Sequence, residues 1–153
     1  MELPLPDEAA SARLGEAVAA ELRRGDAVCL SGPLGAGKST VARAVIRALT
    51  APDEEVPSPT FTLVQTYAGP DFPVAHFDLY RLRSAEEARE LGVEDAVADG
   101  AALIEWPERL DEPPSPDRLD IELHPWSPHE DRGRRARITP HGSWRERELR
   151  YQP

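Results

Sequence analysis

The sequence predicts a three-layer α/β domain built on a mixed parallel and antiparallel central sheet. Three observations lead there. Residues 27–31, AVCLS, are a short apolar run that stops at a glycine-rich stretch and resumes as a helical period, giving the order strand, loop, helix. Residues 61–67, FTLVQTY, and 74–80, VAHFDLY, are rich in β-branched and aromatic residues and flank the turn AGPDFP, as a hairpin does. If the second of these strands runs parallel to 27–31, the first must run antiparallel, and the sheet is mixed. Towards the C-terminus LDIEL alternates strictly, and RRARITP and WRERELR more loosely, as half-exposed strands do.

The remaining elements follow in chain order. Asp7 is placed to cap a helix in which Leu14, Val18 and Leu22 recur at helical spacing before Gly25 ends it. The helix after the glycine stretch turns Val41, Val45 and Leu49 inward and Arg43 and Arg47 outward. APDEEVPSP has three prolines and no period, so it reads as loop. Ser84 followed three residues later by Glu87 is a capping box for a short helix that Gly92 stops. AALIEW, residues 101–106, reads as a buried strand, the proline-rich PERLDEPPSPDR as loop, and the regions of His124-Pro125 and His141-Gly142 as turns.

The 153 residues fit one domain spanning 1–153, with one core and one site. A net charge of −10 opposes free-standing attraction to a nucleic-acid backbone, so any RNA contact has to be local or shared. The exception lies between His129 and Pro153, where seven arginines face four acids; a solvated strand face is its plainer reading and contact with tRNA or an acidic surface the other. The single cysteine, Cys29, excludes an internal disulfide and fits a reducing, cytoplasmic setting as a small core residue. No apolar run is long enough to span a membrane, and the N-terminus lacks the features of a secretory signal.

Of 18 basic side chains only one is lysine, Lys38, and it stands in GPLGAGKS, residues 32–39. This satisfies G-x-x-x-x-G-K-[ST], the phosphate-binding P-loop, with the strand and helix that the motif requires on either side. Main-chain amides of Gly35, Ala36, Gly37, Lys38, Ser39 and Thr40 can turn towards one phosphate chain, and the helix N-terminus adds positive potential. Lysine suits the task because its ammonium is a compact charge on a flexible stem, whereas a guanidinium is planar and seeks a bidentate partner. Ser39 offers a hydroxyl to Mg²⁺ and Thr40 a donor to the α-phosphate. The cation also needs a carboxylate at a strand end. Asp78, ending VAHFD, and Glu105, ending AALIE, both qualify, as metal ligand or as orienter of the attacking water, and spacing does not rank them. Thr60 sits where a γ-phosphate-sensing hydroxyl is often found, although serines and threonines near proline commonly just make turns. His76 reads as a satisfied strand residue rather than a general base, and Trp106 as packing rather than an exposed partner anchor.

Four pieces in order, PLGAGKST, PSPTFTLVQTY, HFDLYRL and IEWPE, together with the opening PLPDEAASARLGEAVA, resemble the TsaE family of small bacterial P-loop ATPases of tRNA threonylcarbamoyladenosine synthesis. The likeness runs from Leu3 to about Glu108. It implies a three-layer P-loop NTPase fold with a mixed sheet, binding of ATP and Mg²⁺, and slow ATP hydrolysis stimulated by the partners TsaB and TsaD, with tRNA reached through that complex. By position, Gly35 to Thr40 match the nucleotide loop, Ser39 the magnesium hydroxyl, Glu105 the magnesium carboxylate and Asp78 the acid of the HxDLYRL motif. Ser11 matches a hydroxyl residue near the nucleotide, Thr60 the switch-like threonine and Trp106 the tryptophan after the glutamate. Two departures are visible: Pro33 replaces a usual acid and removes one amide, and Ser39 replaces a usual threonine but keeps the hydroxyl. The alternative is a small-molecule or nucleoside kinase using the same cradle, for which LYRLRS is the only lid-like segment. A guanine-reading N-K-x-D is ruled out, because the lone lysine is already in the loop.

Overall fold

The computed structural model describes residues 1–59, 62–127 and 130–153, the side chains of 125–127 and 130–132 excepted. Along the chain run β1 (Glu2–Leu5), α1 (Glu8–Glu21), β2 (Ala27–Ser31), α2 (Lys38–Leu49), β3 (Val64–Ala68), β4 (Pro73–Asp78), α3 (Ala85–Glu90), α4 (Val93–Asp99), β5 (Ala101–Glu105), β6 (Arg118–Ser127) and β7 (Glu130–Pro140). Among the described residues the strands form one seven-stranded sheet in the order β1-β7-β6-β2-β5-β4-β3. β2, β4, β5 and β6 are mutually parallel, whereas β3 on β4, β7 on β6 and β1 on β7 are antiparallel, so the sheet is mixed as the sequence predicts.

The alternation of side chains along the central strands divides the core into two halves. Val28 and Leu30 of β2 and Leu103 of β5 join Leu14, Val18, Val41, Val45 and Ile46 of the α1–α2 pair on one face. Ala27, Phe77, Ala102 and Ile104 point the other way, towards Ala88 of α3 and Val93 of α4. The strands are apolar on both faces because both faces are covered, which is why AVCLS and AALIE read as continuous apolar runs. α1 starts on the Asp7 side chain, which accepts from the Ala10 amide at 2.8 Å. Its Gly15 lets α2 come close, since a Cβ there would collide with Ala44 Cβ and lie 2.8 Å from Val41 O. Ile46 carries the inward stripe of α2 alongside Val41 and Val45, while Leu49 is only half-buried.

Four segments differ from the sequence expectation. β1 is a short outer strand that the sequence pattern leaves unassigned, and its Leu5 is fully buried. Gly92 ends α3 as predicted, but the same left-handed residue also starts a second helix, α4, for which the sequence sets no expectation. β6 continues through His124 and Pro125, where a turn is predicted. Its pairing with β2 ends at Glu122, so beyond that point it is laddered to β7 alone and proline loses no bond on the open side. Finally, WRERELR is not a strand. Gly142–Glu146 form a 3-10 turn that carries Trp144 into the core, and after it Glu148 and Arg150 are exposed while Arg147 and Leu149 turn inward. Arg147 closes this end, donating to Asp26 Oδ2 at 2.6 Å and Oδ1 at 3.1 Å. The capping box at Ser84 is half made: Ser84 accepts from the Glu87 amide, but the Glu87 carboxylate turns to the Arg83 amide.

Candidate functional site

The glycine loop links β2, in the middle of the sheet, to the N-terminus of α2. Its backbone needs glycine at both ends. Gly32 has φ +133 and would drive a Cβ into Leu123 O, and Gly37, with φ +100, sets the first turn of α2. The loop is therefore held against β6 on one side and aimed along the helix axis on the other. Its outer rim is also fastened, since Arg134 of β7 donates to Gly35 O at 3.0 Å.

Lys38 is 5% exposed and folds back across the loop, donating through Nζ to Gly32 O at 2.7 Å and Pro33 O at 3.0 Å. Pro33 lacks an amide but serves as an acceptor twice, for Lys38 and for the Ala36 amide at 3.1 Å. The Ala36 N–H is thus committed inside the loop, not turned outward as predicted for residues 35–40. The Trp106 ring lies under the ammonium, 4.2 Å from Nζ to its centroid. Trp106 adopts a left-handed backbone immediately after β5 and packs on Tyr80 with ring centroids 4.8 Å apart, which fixes it over the lysine. Burial lowers the pKa of Lys38, against the opposing pull of the Glu105, Glu108 and Asp78 carboxylates.

The two strand-end acids lie side by side, because β4 and β5 pair with Asp78 opposite Glu105. Their environments differ. Glu105 is 3% exposed, accepts from Ser39 Oγ at 3.0 Å on Oε1 and 3.2 Å on Oε2, and lies 2.6 Å through Oε2 from His76 Nε2. Asp78 is half-buried and accepts from the Tyr80 amide at 3.1 Å. Burial, then the charge of Glu105, pushes its carboxyl above the usual range, against the amide of Tyr80 and the charge of Lys38.

Lys38, Ser39, Asp78, Glu105 and Trp106 are therefore gathered at one end of the sheet from elements far apart in sequence. Thr40 faces a groove between α1 and α2 that Ala9, Ala12 and Arg43 also line. Ser11 is buried on α1 and is not part of the hydrogen-bonded cluster. Thr60 lies outside the described residues. His76 and Arg134 are the additions. His76 shares a face of β4 with Asp78 two residues on, so strand alternation and the pairing to Glu105 carry the signal, but only once β4 and β5 are known to be neighbours. For Arg134 no local signal separates it from the arginines around it.

This donor set fits a nucleotide with a divalent cation. A hydroxyl and a carboxylate already share a hydrogen bond where hard oxygen ligands are needed, and the ammonium is held by two carbonyls and the Trp106 ring, with no carboxylate paired to it among the described residues.

Comparisons with known proteins place the chain in a family. The family model described as "Threonylcarbamoyl adenosine biosynthesis protein TsaE" matches residues 5–135. The tRNA threonylcarbamoyladenosine biosynthesis protein TsaE of Rickettsia felis is 39% identical over 121 residues, 79% of this chain and 71% of that protein. The protein of the same name from Aquifex aeolicus is 35% identical over 123 residues, covering 80% and 86%. The crystal structure of Bacillus subtilis YdiB matches with a TM-score of 0.74 over 95% of this chain and 89% of that one; at 24% identity it speaks for the fold. With the family model spanning most of its length and curated relatives well above 30% identity, this chain belongs to the TsaE family.

Proposed function

We propose that the chain binds ATP with Mg²⁺ and hydrolyses it to ADP and phosphate, slowly alone and faster when joined to TsaB and TsaD in the threonylcarbamoyladenosine modification of tRNA. The observation that carries this reading is the contact of Ser39 Oγ with Glu105 Oε1 at 3.0 Å, beside the chain's one lysine. Lys38 exchanges the carbonyls of Gly32 and Pro33 for phosphate oxygens, which ask for the same compact charge. Ser39 and Glu105 would hold the metal, which when bound would supply positive charge beside the phosphates. Asp78, whose carboxyl burial makes more basic than usual, orients the attacking water and takes up its proton. The net charge of −10 leaves tRNA contact to the partner proteins.

Phosphate release from ATP, measured with and without TsaB and TsaD and alongside gel filtration of the mixture, tests the proposal. A rate that rises with the partners and co-elution support it; an unchanged rate without co-elution overturns it. Label from [γ-³²P]ATP found on a metabolite or nucleoside would favour a kinase instead.

A further inference from the structure

His76 is 1% exposed on β4, and its Nε2 lies 2.6 Å from Glu105 Oε2. Ser39 reaches the same carboxylate from α2. Glu105 is thus gripped from both sides, by a hydroxyl on the helix and by a ring on the neighbouring strand. We propose that His76 is a positioning residue: its Nε2–H fixes the rotation of the Glu105 carboxylate so that Oε1 stays turned to Ser39 and to the metal the two would share. The proposal rests on the metal role given to Glu105 above.

The hydrogen-bond inventory decides the tautomer. A carboxylate oxygen accepts, so Nε2 must donate. Nδ1 is buried and has no partner among the described residues, and a hydrogen placed there would be a donor with nothing to receive it. The ring's hydrogen therefore goes to Glu105. The strand makes this a stiff support: β4 is laddered to β5 from Val74 to Asp78, with His76 opposite Leu103, so ring and carboxylate rise from adjoining, fixed backbone. A glutamate side chain has three rotatable bonds, and a second partner opposite Ser39 removes the freedom to turn away. Outer partners of this kind orient a ligand that would otherwise sample several directions.

The test uses the full chain and Mn²⁺ with ADP as probe. His76→Phe keeps a flat ring without the donor, and His76→Gln keeps an N–H at similar reach. Electron paramagnetic resonance gives the Mn²⁺ affinity of each ADP complex, and ADP binding without metal and urea unfolding serve as controls. Expected is a Mn²⁺ affinity weakened about 10- to 100-fold in His76→Phe and largely restored in His76→Gln, with metal-free ADP binding unchanged in both. Long-range ¹H–¹⁵N correlation on the wild-type chain should place the imidazole hydrogen on Nε2, and this holds whether or not His76→Phe folds. Wild-type affinity in His76→Phe, no recovery in His76→Gln, or a hydrogen on Nδ1 would each overturn the proposal. Glu105→Gln separates the two readings. If it leaves Mn²⁺ affinity intact, the metal role of Glu105 falls and that of His76 with it; if it weakens binding while His76→Phe does not, only the role of His76 falls.

Discussion

Lys38 satisfies its ammonium on two main-chain carbonyls, Gly32 O and Pro33 O, and on the face of Trp106. These partners are neutral, so a phosphate chain replaces them with a gain in charge-assisted bonding. Lys38→Ala should therefore weaken ATP binding about 10- to 100-fold, the equivalent of the ~1.5–3 kcal/mol that a hydrogen bond to a charged group contributes, as read by calorimetric titration. Glu105 is a different case, since Ser39 and His76 both depend on it. Glu105→Ala should reduce magnesium-dependent phosphate release on the order of 100-fold or more and, by leaving a buried donor on His76 unpaired, cost about 1–3 kcal/mol of stability in urea titration. Normal turnover in that variant would move the metal role to Asp78. The loop residues were legible in the sequence because their function requires them to be contiguous. Spacing left Glu105 and Asp78 as a pair of candidates and only the family resemblance favoured Glu105 for the metal, because their surroundings differ in burial and in the reach of Ser39 across 66 positions. The link from His76 to Glu105 spans 29 positions and exists only once β4 lies beside β5.

At the scale of elements, the site depends on how α2 is seated, because its first turn carries Lys38 and Ser39. Gly15 of α1 is the close-contact point: an added Cβ would overlap Ala44 Cβ and stand 2.8 Å from Val41 O, both backbone-anchored neighbours. Gly15→Ala should therefore cost about 1–3 kcal/mol as an overpacked helix contact, even though alanine is the better helix former at an exposed site. Urea unfolding checks the sign: a stabilised variant would show that the two helices separate freely. The elements the sequence predicted well, β2, α2, β4 and β5, are those whose side-chain period and burial agree. β1 was hidden by its proline, Pro4, and its shortness, and α4 because a left-handed glycine can begin a helix as well as end one. The segment WRERELR misled because its alternation of charge looks like an exposed strand face, whereas Trp144, 2% exposed, and the buried Arg147 decide where the chain goes.

For the whole molecule, the decisive long-range contact is the ion pair of Asp26, just before β2, with Arg147, near the chain's end. Both side chains are almost wholly buried, and the guanidinium also stacks on Trp144 with Cζ 4.4 Å from the ring centroid. Burial raises the Asp26 carboxyl above its ordinary value, against the hydrogen bonds from Arg147 and the Arg23 amide, which pull it down. A carboxyl raised in the folded state contributes most to stability below its unfolded value, and that contribution is lost as pH rises through the folded value. Arg147→Met removes the strongest lowering influence, so the folded value climbs further and the loss extends over a wider range of pH. At neutral pH the variant keeps a buried carboxylate without its cation and should lose about 3–5 kcal/mol. On acidification Asp26 takes up a proton and no longer needs the cation, so the difference from the native chain should narrow. Urea titrations of both proteins at neutral and at mildly acidic pH read this directly. An equal deficit at the two pH values would mean that Arg147 holds the C-terminal segment through its packing on Trp144 and not through Asp26.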